Sequence, residues 1–180
     1  MTTYKNEQPN NNKAELHRKR SRNFVEEIGY FFRSIDDQTK DTYRVFTKHY
    51  DGNRLEFGLN ELLYDVLVCD TAKTTSIQGE RELCFVKKAI WQIESEFQES
   101  NVRSLIWDFN KLVIGSGENK LFICSHPRPV KEGLFLMALN PLAACCSGNV
   151  YIAFVTHPEN WNGNAPYAVK CLKYDNGHWV

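Results

Sequence analysis

A chain of 180 residues with 42% apolar and 13% aromatic side chains is long enough to bury one core and too apolar to stay disordered. Its 22 basic and 22 acidic side chains cancel, so bulk charge gives no argument for a nucleic-acid partner, although one positive face remains compatible with zero net charge. No apolar run approaches the ~20 residues of a membrane span. No GxGxxG, GxxxxGK[ST] or HExxH stretch points to a dinucleotide, P-loop or zinc-protease site, so neither a membrane nor an organic cofactor is expected.

The N-terminus is polar, Asn-rich and without an apolar stretch, which is not the pattern of a signal peptide. Residues 1–12 are expected as a disordered lead-in, 13–180 as one domain, and the cytoplasm as the default location. From Lys13 to Ile35, Leu16, Phe24, Ile28, Phe31 and Phe32 recur at helical spacing, and Asp36 and Asp37 end the pattern. The same helix carries Glu26, Glu27 and the one dense basic cluster, Lys13, His17, Arg18, Lys19, Arg20 and Arg22. That cluster reads equally as a solvated helix start or as a phosphate-contacting arm through Arg18, Lys19 and Arg20.

Thr42 to Tyr50 is β-branched or aromatic and expected to be extended, with Asp51 and Gly52 as a turn and Arg54 to Phe57 as a hairpin partner. Leu62 to Cys69 is apolar except for Asp65, as in a strand covered on both faces, and Thr71 to Glu80 reads as a polar loop. Leu83 to Phe97 contains the next strand. Alternation there sets Gln92, Glu94, Glu96 and Gln98 on one side and Trp91, Ile93 and Phe97 on the other.

Asn101 is a fair N-cap for a helix to Ile114, with Val102, Leu105, Ile106, Phe109, Leu112 and Val113 as its apolar stripe and Gly115 and Gly117 as its end. Lys120 to Cys124 is a short buried strand. Leu134 to Cys146 reads either as one helix interrupted at Pro141 or as two pieces. Val150 to Thr156 and Tyr167 to Tyr174 read as paired strands, and the Asp175-Asn176-Gly177 sequence as a closing turn. The sum is an α/β (α+β) sandwich with a mixed central sheet, in which the helix after Phe97 allows a parallel crossover.

Six cysteines form no CxxC pair and read as buried free thiols; Cys124 and His126 are a weak candidate pair for zinc. The five histidines are scattered over different elements, and Ser95 between two glutamates is a poor nucleophile. Trp161, Tyr167, Tyr174 and Trp179 are expected to be exposed, as hairpin packing or as base-stacking surfaces.

Acids on apolar strands are costly unless paired or bound to a cation. If the Asp65 and Glu94 strands are neighbours, ~4.8 Å apart, the two carboxylates converge, and a hard divalent cation such as magnesium is the ordinary way to keep both ionised. The succession of an acid on one strand, an acid on the next, a helix and a further strand resembles the core of the PD-(D/E)XK, or restriction-endonuclease-like, nuclease superfamily. The resemblance covers roughly Lys13 to Cys124. It implies an αβββαβ core with C-terminal strands added, Mg2+ or Mn2+ held by Asp65 and Glu94, and hydrolysis of phosphodiester bonds in DNA. It also implies a homodimer by analogy, one site per strand.

Two departures stand out. Glu96 occupies the lysine position and Tyr64 the usual proline position. Because some members of the superfamily carry the lysine on the following helix, Lys111 is the candidate to orient water or stabilise charge, with Glu96 as an additional metal ligand or as the group that holds Lys111. Asp108 lies on the same side of that helix. One of Glu26 and Glu27 is a further helix-borne acid for the metal. The alternative is a nuclease-fold module without catalysis, serving binding or protein interaction in a defence, repair or regulatory assembly. The position of the Lys111 ammonium relative to Glu94 and Glu96 discriminates the two.

Overall fold

The computed structural model describes residues 10–35, 42–76, 79, 82–97, 102–161, 166 and 168–180. The lead-in through residue 9, Asp36 and Asp37, Gln98, Asn101 and Tyr167 lie outside the described residues. One mixed sheet of seven strands, ordered as in the chain, runs β1 (Tyr43–Thr47), β2 (Val66–Thr75), β3 (Glu82–Glu96), β4 (Asn119–Ser125), β5 (Asn149–Val155), β6 (Val169–Asp175) and β7 (His178–Trp179). The pairs β1–β2, β2–β3, β5–β6 and β6–β7 are antiparallel, while β3–β4 and β4–β5 are parallel. Parallel neighbours need a crossover, and helices α3 (Val102–Ile114) and α4 (Pro129–Cys145) supply the two.

The layers follow from the alternation of side chains along the strands. One face of the sheet presents Val45, Val66, Val68, Ile93, Ile123 and Ala153 to α1 (Asn10–Ser34), which answers with Phe24, Val25, Ile28 and Phe32. The other presents Leu67, Cys69, Phe122, Cys124, Ile152 and Phe154 to Leu105, Phe109 and Leu112 of α3 and to Leu139 and Ala143 of α4. A side chain at Gly29 would meet Thr47 Cγ2 at 2.4 Å, so a residue without one lets α1 lie close on β1. Of the apolar stripe read for α3, Leu105, Phe109 and Leu112 are buried and Ile106 and Val113 half-buried.

Several expectations are corrected. Helix α1 begins at Asn10, inside the segment expected as lead-in. Arg54–Phe57 is a single helical turn, α2, closed by Gly58 at φ 74°, not a hairpin strand. Asp65 lies one residue before β2, not within it, because Leu63 has positive φ and the chain turns there before pairing begins. Thr71–Thr75 belongs to β2, which continues as a long arm against Glu82–Val86.

The ambiguous Leu134–Cys146 stretch is one helix with Pro141 inside. Pro141 is exposed, so water can satisfy the carbonyl that its ring releases. Trp161, expected on the surface, is only 2% exposed and packs with Phe24 and Phe97. Cys69 and Cys124 are buried free thiols as expected, whereas Cys145 and Cys171 are exposed. Among the described residues no helix is long and apolar enough to cross a membrane.

Candidate functional site

The register of β2 and β3 pairs Val66 with Ile93, so one step back along β2 brings Asp65 level with Glu94. Each acid meets a different partner. Asp65 Oδ2 accepts from the backbone N–H of Ser95 at 2.9 Å and from its hydroxyl at 2.6 Å. These two bonds hold the Asp65 carboxylate over the end of β3. Ser95, a poor nucleophile by sequence, is the residue that orients Asp65.

Glu94 points to the α3 side and is 1% exposed. Its Oε2 accepts from the Lys111 ammonium at 2.9 Å, and Lys111 also lies 3.1 Å from Asp108 Oδ1. Glu94 Oε1 is buried and has no hydrogen-bond partner among the described residues. Burial first, and the Asp65 charge second, push the Glu94 carboxyl up to about 8, against the opposing pull of Lys111. Desolvation works to lower Lys111, but its bonds to Glu94 and Asp108 outweigh it and hold the ammonium above the usual lysine value. The two partners thus pull the shared proton in opposite directions. The direction set by burial prevails at Glu94, because half of its carboxylate faces no donor.

Tyr64, in the place of the usual proline, is buried and donates its hydroxyl to the Lys111 carbonyl at 3.2 Å. It ties the chain before Asp65 to the helix that carries the lysine. The sequence pattern marked it only as a departure from the usual proline, with no role at the site. A buried tyrosine needs a hydrogen-bond partner, and that need was the available signal.

Asp65 and Ser95 open into a cleft of about 490 Å³ between the middle of α1, the end of β1 and the end of β3. Glu96, half-buried, and Phe97 line the same cleft. Glu96 therefore does stand near Asp65, beyond Glu94 on the strand. Glu26 also lines it, but its two oxygens are taken by the Thr47 hydroxyl at 2.6 Å and the His49 N–H at 2.9 Å. Glu27 is exposed and does not line it.

Of the basic trio, Arg18 lines the cleft and Lys19 is exposed outside its lining. Arg20 is turned away to the backbone carbonyls of Pro158 and Glu159, at 2.9 and 3.3 Å. The arm expected from Arg18, Lys19 and Arg20 thus has one residue placed at the cleft. Cys124 and His126 do not converge as a zinc pair: Cys124 belongs to the α3–α4 core, and His126 faces Glu132 and the Phe154 ring.

Among the described residues no group of three or more His, Cys, Asp or Glu side chains is placed to hold a metal ion. Two carboxylates, one with a buried oxygen lacking a donor, are nonetheless the donor set that magnesium uses when waters and a substrate phosphate complete its shell. Asp65 lines the cleft, whereas Glu94 is buried toward α3 outside its lining. No protein-family model matches the chain, and neither a curated protein nor a solved structure matches it.

Proposed function

We propose that the chain is a metal-dependent nuclease-like domain that hydrolyses phosphodiester bonds of DNA, built on the restriction-endonuclease-like αβββαβ core. The succession α1, β1, β2, β3, α3, β4, with β3 and β4 parallel, supports that core. The observation that carries the functional reading is the Lys111 ammonium 2.9 Å from Glu94 Oε2. The lysine missing from the strand is supplied by the next helix, on the acid that needs it.

In this reading Asp65 and Glu94 hold Mg2+ or Mn2+, with Glu96 as an auxiliary ligand. When bound, the ion polarises a phosphoryl oxygen and lowers the pKa of water. Lys111 brings a fixed positive charge to the place where negative charge develops, and Asp108 and Tyr64 hold it there. Ser95 keeps Asp65 in position. Water is the nucleophile, and no covalent intermediate with the protein is implied.

A second reading is favoured by the burial of Glu94, which favours its protonated form, and by Glu96 in the lysine position. In that reading the fold is a non-catalytic binding or interaction module. Cleavage of plasmid and single-stranded DNA with magnesium or manganese separates the two, using wild type, Glu94→Ala and Lys111→Ala. Metal-dependent cutting that disappears in both variants is expected. Cutting lost only in Glu94→Ala removes Lys111 from the site, and no cutting by a folded protein leaves the module.

A further inference from the structure

Helix α4 carries apolar residues on its wet side as well as on its buried one. Val130 is 92% exposed, Leu134 67% and Met137 66%. Ala138, Pro141, Ala144 and Cys145 are exposed on the same helix. Val130, Leu134, Met137, Pro141 and Ala144 follow one another at alternate steps of four and three, which sets them in one row along it. The chain has no charged residue from Gly133 to Gly148. The neighbouring α3, packed beside α4 over the same face of the sheet, exposes Trp107 at 58% and Ile114 at 76%.

The area is that of an interface. These exposures leave roughly 600 Å² of apolar surface on α4 and roughly 300 Å² on α3. The largest patch of an ordinary monomer is ~300–600 Å², and each partner in a stable complex gives ~800 Å².

Two features of the row say what covers it. Its large side chains, Val130, Leu134 and Met137, occupy the N-terminal half of α4; its small ones, Ala138, Pro141 and Cys145, occupy the C-terminal half. A second copy turned end for end is the complement of that gradient. About a two-fold axis beside Met137 and Ala138, Val130 comes level with the partner's Cys145, Leu134 with the partner's Pro141, and Met137 with the partner's Ala138.

The second feature is charge. Helix α4 has no basic residue in its last turn, so its terminal carbonyls lack the cation that a helix dipole favours. Lys131, exposed and without an ion pair among the described residues, flanks the row at the opposite end. In the antiparallel pair it comes level with the partner's Ala144 and supplies that cation from across the interface.

We propose that two copies of this chain associate through the α3–α4 face, with the two α4 helices antiparallel about a two-fold axis. Each α3 then stacks on the partner's α3, and both Asp65 clefts stay open on the far side, where α1 lies. The inference does not depend on the chemistry of those clefts. A membrane surface does not match the face, because interfacial helices set a strongly basic side against the apolar one, and Lys131 is the one cation of α4.

The test is sedimentation velocity of the full chain, which should show a dimer with Kd below about 50 µM. Leu134→Glu combined with Met137→Glu should raise that Kd about a hundredfold by placing unpaired carboxylates at the axis. Both positions are exposed, so the circular dichroism of the variant should match wild type. Lys131→Glu should weaken the dimer about tenfold, through two equivalent helix ends. Leu55→Glu, at a 99% exposed apolar position on α2, should change nothing.

A short amine-to-thiol cross-linker reads the orientation. Lys131 and Cys145 lie about 21 Å apart along one helix, beyond its reach, but are level neighbours across the antiparallel pair. The Lys131–Cys145 link should therefore appear, and only in covalent dimers. A chain still monomeric at about 50 µM, a dimer that survives the double substitution, or covalent dimers without that link overturn the proposal. So does a monomer that sediments with phosphatidylcholine vesicles, which would give the face to lipid.

Discussion

Glu94→Gln isolates the consequence of burying one carboxyl. A group of ordinary value 4.5 held at about 8 binds its proton more tightly in the folded than in the unfolded chain throughout that interval. The stability it contributes is fully present below about pH 4.5 and is lost as pH rises through about 8. The slope is about 1.4 kcal/mol per pH unit, and the whole loss is on the order of 5 kcal/mol. Glutamine keeps the shape and can still accept from Lys111, but it does not titrate.

Urea unfolding followed by the fluorescence of the four tryptophans, from about pH 5 to about pH 9, reads the difference directly. Wild type should lose stability steeply across this range, and Glu94→Gln should lack that component. At the alkaline end, where Glu94 is ionised, magnesium at about a hundred times its Kd should restore about 2.7 kcal/mol to wild type and nothing to the variant. Parallel pH curves for the two proteins would refute the reasoning. They would mean that the Lys111 ammonium holds Glu94 ionised throughout and that burial does not decide its protonation.

Tyr64→Phe removes one hydroxyl that donates to the Lys111 carbonyl; about 1 kcal/mol of stability should go, together with part of any metal-dependent cleavage, measured by denaturation and by turnover. Lys120 is fully buried, with its ammonium donating to the carbonyls of Gly117 and Ser147, and burial lowers its pKa. Lys120→Met should cost about 2 kcal/mol by urea unfolding at neutral pH, because two carbonyls lose their donor. A stabilised variant would show instead that desolvation of the ammonium outweighs those bonds.

Where one periodicity dominated, the elements were legible. The stripe of α3 and the apolar residues of α1 follow from spacing, because one face of each is wet, while β5 shows as a short apolar run because it is covered on both faces. Helix α4 was not legible as a unit. It is apolar nearly all round, with Val130, Leu134 and Met137 exposed while Leu139 and Ala143 are buried, so no periodicity marks it. Arg54–Phe57 misled because four residues carry too little pattern to separate a helical turn from a strand.

For the site, the sequence determined which groups need an explanation: an acid among apolar residues, a second acid on a later strand, and a lysine one helix on. Those needs are local, since they follow from charge set among apolar residues. Partners were decided by the fold alone. Ser95 for Asp65, Lys111 and no second donor for Glu94, Tyr64 for the backbone of α3, and the carbonyls of the Pro158–Glu159 turn for Arg20 are all long-range choices. Residues separated by 17 to 138 positions meet there only because the sheet register and the helix crossings bring them within ~3 Å. Residue spacing along a chain carries no record of such meetings, which is why the chemistry of these groups could be read before the structure and their pairing could not.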